Sequence, residues 1–370
     1  MPKALIFDPY LDTLGGGERY ALTVAEILLT EGWQVDLVWS GSPALLETAA
    51  HRFGLNLKGL GTSPDPFILN GNPLNYFKKI IQKPVCDLVF YLSDGSLPWL
   101  FCRQSLLHLQ VPFTNSFDPL RKTINFLKLL HVKKIICNSH FTENFIKKTY
   151  LTNKTTVWYP PVDVSQIASP KIKATPKKNY ILAVGRFDEH TINNKRQDIL
   201  VKSFIGMLDG GLKNWTLVLA GNSLDKPEKN KFLLRLKRVA EGYPIHFKVN
   251  CPFDNLVKLY RQSKIFWHAA GYGIDDKKHP ELVEHFGMTC VEAMSAAAVP
   301  IVINKGGLKE IVSHGKDGWL WETPQDLINF TNQLINNPPL FKKTSHLASQ
   351  KAKLFSKAHF AKKLKRIIAS

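Results

Sequence analysis

A chain of 370 residues, 44% of them hydrophobic, is too long for one comfortable core and suits two domains of roughly 150 to 200 residues each. A formal net charge of +19 and a pI near 9.6 call for something polyanionic: nucleic acid, an anionic membrane face or phosphorylated ligands. No apolar run approaches the roughly 18 to 20 residues that span a bilayer, and the opening MPKALIFDPY lacks the zones of a signal peptide, so a soluble cytoplasmic chain is expected. The five cysteines, Cys86, Cys102, Cys137, Cys251 and Cys290, form no CxxC or His-Cys cluster. Buried reduced thiols are therefore expected, rather than disulfides or zinc.

In chain order, Ala4 to Phe7 reads as a strand, and Asp8 to Leu14 leads into the loop Gly15-Gly16-Gly17-Glu18-Arg19, followed by a helix from Tyr20. A strand, glycine loop and helix bring backbone amides close to a phosphate. The spacing is not G-x-G-x-x-G, and no acid stands at the end of the next strand, Gln34 to Trp39, which counts against a dinucleotide site. The stretch from His51 to Lys83 is irregular. Within it Tyr76 to Lys83 admits two readings, an amphipathic membrane-facing segment or an ordinary surface helix. Asp87 to Leu92 and Leu106 to Gln110 are strands whose C-terminal ends would form ligand crevices. From Gly95 to Thr142 there are six Lys or Arg (Arg103, Arg121, Lys122, Lys128, Lys133, Lys134) and one acid, Asp118; this is either the basic rim of a ligand cleft or a solvated helix face. Lys134 to Ser139 is a strand and polar turn, with a helix through Lys148. Trp158 to Asp163 and the linker Lys171 to Asn179 then break regular structure.

The second half starts with the buried strand Tyr180 to Val184, which ends in Gly185-Arg186; Lys195 and a helix through Phe204 follow. Strands are expected at Thr216–Ala220, Ile245–Val249, Lys264–His268 and Val299–Ile303, with Leu256–Tyr260 helical and 274–280 an inserted loop. Lys305 to Ile311 opens a short helix whose amides are expected to face a phosphate, Gly315 to Trp321 is a turn and strand, and the chain is helical from Pro324. Residues 351 to 370 carry seven Lys or Arg and no acid. Between these elements lies HPELVEHFGMTCVEAMSAAAVP, where a helix should begin at about Gly287. Its first amides, on Gly287, Met288 and Thr289, have no partner within the helix and make a phosphate cradle. Glu284 precedes that end and Glu292 lies one turn inside, where ionised carboxylates suit the hydroxyls of a sugar and a ribose.

Glu284 and Glu292, with Phe286-Gly287 between them and Ala-Met-Ser-Ala after the second, resemble the signature of the retaining glycosyltransferases of family 4. The resemblance implies that Glu284 contacts the donor sugar, that Glu292 holds the ribose, and that the backbone of Phe286, Gly287, Met288 and Thr289 holds the diphosphate. Gly185, Arg186 and Lys195 match the family's Gly-Arg and Lys, which bind the leaving diphosphate; fixed cations there stabilise the charge that develops as the bond breaks. Gly-Gly-x-Glu-Arg matches the family's first loop and singles out Gly16 and Gly17. Family members place a histidine near the reacting sugar where this chain has Gln110, and His108, roughly 6.6 Å further back along a strand, reads as a core histidine.

The resemblance further implies the B-type glycosyltransferase fold, an α/β architecture of two doubly wound Rossmann-like domains facing a central cleft. The domains expected are 1–165 on the acceptor side, 166–345 for the nucleotide-sugar donor, and a terminal helix at 346–370 that crosses back to the first domain. The function expected is retaining transfer of a sugar, with mannose from GDP-mannose favoured over UDP-sugars, to a glycan or lipid-linked acceptor at the cytoplasmic face of an anionic membrane. No cofactor or metal is expected, since no Asp-x-Asp occurs in the chain and Arg186 with Lys195 offsets the diphosphate. Two rival readings are a sugar-nucleotide-binding protein without catalysis and a nucleic-acid-binding protein. The second fails to find aromatic residues interleaved with basic ones.

Overall fold

Short runs rich in Leu, Ile, Val and Phe recur through the chain and become strands, of which central ones such as Leu88–Ser93 and Val299–Ile303 are buried on both faces. A computed structural model describes residues 1–39, 41–63, 86–114, 118–168, 176–189, 194–223 and 225–369. The segment Tyr76–Lys83 lies outside the described residues, as do residues 171–175 of the linker expected over Lys171–Asn179, whose last two residues instead open the strand Lys178–Val184.

The chain divides into two compact units, residues 1–161 with 357–370, and residues 162–356. The first unit runs β1 (Lys3–Phe7), α1 (Gly16–Thr30), β2 (Gln34–Val38), α2 (Pro43–Phe53), β3 (Gly61–Ser63), β4 (Leu88–Ser93), β5 (Gln104–Leu109), α3 (Pro119–Leu130), β6 (Lys134–Cys137), α4 (His140–Tyr150) and β7 (Thr155–Val157). Its seven strands order as β3-β2-β1-β4-β5-β6-β7, with every described pair parallel. Successive side chains of a strand point to opposite faces, so one strand feeds two cores. Ala4, Ile6, Leu88, Phe90, Leu106 and Ile136 join α1 on one face; Leu5, Val89, Leu107 and Ile135 join Ile146 and Tyr150 of α4 on the other. Ser139 caps α4 by accepting the Thr142 amide at 3.0 Å, the usual role of serine at a helix start.

The second unit runs α5 (Val164–Ile167), β8 (Lys178–Val184), α6 (Gln197–Asp209), β9 (Thr216–Gly221), α7 (Lys231–Val239), β10 (Ile245–Val249), α8 (Phe253–Gln262), β11 (Ser263–His268), α9 (Met288–Ser295), β12 (Val299–Ile303), α10 (Leu308–Ile311), β13 (Trp319–Trp321), α11 (Pro324–Asn336) and α12 (Pro338–Ala352). Its strands order as β10-β9-β8-β11-β12-β13. Helix α6 packs with α7 and α11, while α9 packs with α8 and α12, so the sheet is covered on both faces. In each sheet the strand order reverses beside the first strand, between β1 and β4 and between β8 and β11. The crevice beyond the carboxyl ends of such strands is where open α/β sheets bind ligands.

The last helix, α13 (Lys357–Ala369), belongs to the first unit. Phe360 stacks on Trp158 with ring centroids 4.1 Å apart, and such a pair adds about 0.5–1.5 kcal/mol beyond its buried area. Trp158 Nε1 donates to the Phe360 carbonyl at 3.2 Å. The helix expected over 346–370 is therefore two helices with a 3-10 turn at Lys353–Phe355 between them, and its first part stays in the second unit. Three of its cations are engaged at home: Lys357 with Glu26, Lys363 with the Val157 carbonyl, and Lys365 with Glu31 at 2.6 Å.

Three further expectations are corrected. Gly15 to Arg19 is not a free loop, because α1 already begins at Gly16. Glu18 reaches back to accept the Gly15 amide at 2.5 Å, as an acid at the third helical position does. Cys86 and Cys102 form a disulfide, while Cys137, Cys251 and Cys290 are free. The physical reason is register: Leu88 on β4 pairs with Gln104 on β5, and two residues before each strand the same register sets Cys86 opposite Cys102. The amides of the Lys305–Ile311 segment are not all open to a ligand, since Gly307 N donates to the Glu284 carbonyl at 2.8 Å.

Candidate functional site

In the second unit, the carboxyl end of β8 and that of β11 meet at the point of strand-order reversal. Gly185 follows β8, and a Cβ there would lie 2.4 Å from Lys195 Cγ, so only glycine lets the Lys195 stem cross the strand end. Gln197 holds this turn by donating to the carbonyls of Gly185 and Arg186, at 3.3 and 3.0 Å. Arg186 itself is exposed, and its guanidinium pairs with no acid among the described residues.

Lys195 Nζ donates to Glu284 Oε2 at 2.5 Å. On the other side His268, the last residue of β11, puts Nε2 3.1 Å from the same oxygen. The Ala270 amide donates to His268 Nδ1 at 3.3 Å, which assigns the ring proton to Nε2 and makes His268 a donor to the carboxylate. Burial lowers the His268 pKa against the pull of Glu284, so the imidazole is neutral. Burial would raise the Glu284 carboxyl, but Lys195 and His268 outweigh it and hold the group well below the usual carboxylate range. Both contacts use Oε2, which leaves Oε1 with lone pairs able to accept sugar hydroxyls. The Glu284 backbone is equally fixed. Besides the Gly307 amide bond, Gly306 packs so close that a Cβ would lie 2.1 Å from the Glu284 carbonyl oxygen. The inserted loop folds back here, with Asp276 accepting the Gly306 amide at 3.3 Å and pairing with Lys309 at 3.2 Å.

Gly287 is the N-cap of α9 with φ 109°, a left-handed conformation that glycine alone adopts cheaply. Phe286 and Gly287 are buried, and Met288 and Thr289 are half-buried. The amides of the first helical turn have no acceptor within the helix. Glu292 is buried one turn on, and the Tyr260 hydroxyl donates to its Oε2 at 2.7 Å. His285 accepts no site role: its Nε2 lies 3.2 Å from the Glu281 carbonyl, and burial takes its pKa down to about 4.

In the first unit the structure brings Gly17 and Gln110 together, since a Cβ on Gly17 would lie 2.6 Å from Gln110 Nε2. Gly16 opens α1 beside it. The Gln110 carbonyl accepts from Asn138 Nδ2 at 3.0 Å, which ties the end of β5 to the turn after β6. His108 is fully buried, stacked on Tyr20 with centroids 4.0 Å apart. Its Nδ1 lies 3.1 Å from the Ile136 carbonyl. Burial lowers its pKa to about 4, which is the behaviour of a core histidine.

Three residues escape the sequence reading. His268, Tyr260 and Asp8 are polar groups inside or at the end of apolar runs. For His268 and Asp8 the available signal was position: each directly ends or follows a strand at a reversal point. Asp8 is fully buried; it accepts the Tyr10 amide at 3.1 Å through Oδ1, while Oδ2 finds no partner among the described residues. Burial, helped by the nearby Glu18 charge, raises its pKa to about 7. Among the described residues no cluster of His, Cys, Asp and Glu is arranged to hold a metal ion.

Comparison with known proteins bears on both units. Residues 165–354 match the family model described as glycosyl transferases group 1, and residues 14–166 match that of glycosyltransferase family 4. One relative, from Dictyostelium discoideum, is a GDP-Man:Man(3)GlcNAc(2)-PP-Dol alpha-1,2-mannosyltransferase, 24% identical over 67% of this chain and 51% of that protein. The chain thus spans about half of that relative's length. Among solved structures, a glycosyltransferase from Rickettsia africae superposes with a TM-score of 0.76 at 18% identity, covering 99% of this chain and 97% of that one. Anabaena HepE in complex with UDP superposes with a TM-score of 0.70 at 16% identity over 100% of both chains. Two parallel doubly wound sheets are the B-type architecture these structures share, and with a family model matched across each unit the chain belongs to glycosyltransferase family 4.

Proposed function

We propose that the protein is a retaining glycosyltransferase that moves a sugar from a nucleotide-diphosphate donor to a hydroxyl of a glycan or lipid-linked acceptor. The observation that carries this reading is the Lys195–Glu284–His268 cluster at the reversal point of the second sheet, immediately before the open amides of α9. In this reading Glu284 Oε1 receives hydroxyls of the donor sugar. The backbone of Phe286 to Thr289 receives the diphosphate, and Glu292 with Tyr260 receives the ribose. Arg186 and Lys195 meet the charge that grows on the departing diphosphate as the anomeric C–O bond breaks and the bond to the acceptor oxygen forms. Glu284 holds the Lys195 ammonium in place for that moment, so little rearrangement is needed. Gly16 and Gly17 face the donor's diphosphate and the acceptor, and Gln110 takes the place of the family's histidine near the reacting sugar.

Mannose from GDP-mannose is the favoured donor, supported by the Dictyostelium relative and by the Glu-His-Phe-Gly string. The cations make a bound metal unnecessary. The protein acts from the cytoplasm as a peripheral protein on an anionic membrane; no described helix is long and apolar enough to cross one. The test is a thermal-shift and turnover panel of GDP, UDP and ADP sugars with and without EDTA. A donor at 100 times its dissociation constant should stabilise the protein by about 2.7 kcal/mol. Lys195→Ala should cost a hundredfold to a thousandfold in turnover, on the order of other single electrostatic contacts to a transition state. Activity abolished by EDTA and restored by manganese defeats the metal-free reading. Donor binding without any transfer or donor hydrolysis leaves a binding protein instead.

A further inference from the structure

Five of the large hydrophobic side chains on the surface belong to one helix. Leu120, Ile124, Phe126, Leu127 and Leu130 are all exposed on α3, with Leu120 at 70% and Phe126 at 62%, whereas Leu129 is the helix's one buried residue. At about 100° per residue the five cover an arc of roughly 160°, opposite Leu129 and Asn125. Leu129 anchors the helix in the core with Val132 and Ile135, so the apolar strip points outward. Cations border it on both sides: Arg121 and Lys128 on one, Lys122 on the other. Residues 118–134 hold five Lys or Arg and a single acid, Asp118, which serves as N-cap by accepting the Arg121 amide at 2.9 Å and pairs with the exposed Arg121 guanidinium at 3.4 Å. Lys128 Nζ sits 5.8 Å over the half-buried Trp99 ring.

We infer that α3 is the element by which the first unit lies on an anionic lipid bilayer, its apolar strip in the interface and its flanking cations on the headgroups. The inference rests on the membrane reading above and names the surface that carries it. An apolar face flanked by Lys and Arg is the pattern of a helix that lies in a membrane interface. A second copy of the chain is a poorer occupant. The strip measures about 18 Å by 10 Å, well short of the roughly 800 Å² per partner of a stable interface, and symmetric pairing would set like charges against each other. The terminal helix, which has more cations, is a poorer anchor, because Phe360 and Leu364 are buried and Lys357, Lys363 and Lys365 are engaged within the unit.

The experiment is co-sedimentation of the full chain with vesicles of phosphatidylcholine alone or with about 30% phosphatidylglycerol, over a range of salt. The wild type should bind the mixed vesicles and release at high salt. Phe126→Ser/Leu127→Ser should lower the partition coefficient about a hundredfold without lowering Tm, since neither side chain is packed. Lys122→Glu/Lys128→Glu should lower it by a similar factor at low salt. Lys362→Ala/Arg366→Ala on α13 should leave most binding intact, and the Phe126→Trp variant should show a larger blue shift of tryptophan emission than the wild type when mixed vesicles are added. Binding that survives Phe126→Ser/Leu127→Ser but is lost in Lys362→Ala/Arg366→Ala overturns the assignment to α3 and keeps the membrane reading. A wild type that ignores both vesicle types overturns both. A dimer that the α3 substitutions dissociate hands the strip to a second copy and also overturns it.

Discussion

Lys195→Ala should destabilise the second unit as well as slow the reaction, and the two effects have one cause. The Lys195 and Glu284 side chains are 21% and 14% exposed and meet at 2.5 Å. Removing one partner of a buried pair typically costs about 3–5 kcal/mol, because the other charge is left without its counterion. With His268 still donating to Glu284, the lower end, about 3 kcal/mol at pH 7, is expected. The pH dependence follows from the shift. In the wild type the folded Glu284 carboxyl lies below its ordinary 4.5, so its contribution is present above that pH and is lost as pH falls through the folded value. In the variant, burial is less opposed and the carboxyl rises, so its cost is greatest at neutral pH and is relieved by acid. The gap between the two proteins should therefore narrow from pH 7 to pH 4. Urea unfolding of the second unit's transition at pH 7, 5.5 and 4 measures it, with Glu284→Gln and the double variant completing a cycle. A gap that does not change with pH, or a double variant as unstable as the two single losses added together, refutes the argument.

Asp8 carries the opposite sign. Its folded pKa is raised from 3.8 to about 7, so its stabilising contribution is complete below pH 3.8 and is lost as pH rises to 7; that rise corresponds to about 4 kcal/mol. Asp8→Asn keeps an acceptor for the Tyr10 amide, and its Tm advantage over the wild type should grow between pH 4 and pH 8; a constant difference would count against the burial. Gly185→Ala, whose new Cβ must displace the Lys195 stem, should lower turnover about a hundredfold with an unchanged circular dichroism spectrum; unaltered kcat would mean that Lys195 can leave this position at no cost. Tyr260→Phe removes the donor to Glu292 and should cost about 2 kcal/mol in chemical denaturation, the range for hydrogen bonds to charged groups. It should also weaken nucleotide binding, and nucleotide affinity equal to wild type would separate Glu292 from the ribose.

Much of this protein was legible in its sequence because the relevant signals are local. An apolar run located β12 at Val299–Ile303, which is buried at every position, and alternating apolar and polar residues located the edge strand β10 at Ile245–Val249. The start of α9 at Gly287 followed from a glycine next to helix formers, and the pairing of a Gly-Arg turn with Lys195 and the two glutamates stood in the motif. Helices α2 and α3 and the short strands β3 and β7 escaped notice. The α3 sequence puts apolar residues on the solvent side, and three-residue strands have no period to detect.

Tertiary structure alone decided the rest, because register and chain crossover bring together residues that no window contains. Lys195 and Glu284 are 89 positions apart, and they meet because β8 and β11 are neighbours in the sheet although two strands, β9 and β10, lie between them in the chain. In the first unit the parallel pairing of β4 with β5 likewise joins Cys86 to Cys102. The net charge of +19 says that cations are abundant, but only folding shows which are engaged. Lys357, Lys363 and Lys365 on α13 are turned towards Glu26, a backbone carbonyl and Glu31, whereas Lys122 and Lys128 on α3 border an uncovered apolar strip. A helix's sequence specifies two faces; which one meets the core depends on the single anchor, Leu129, that the rest of the unit has room to bury.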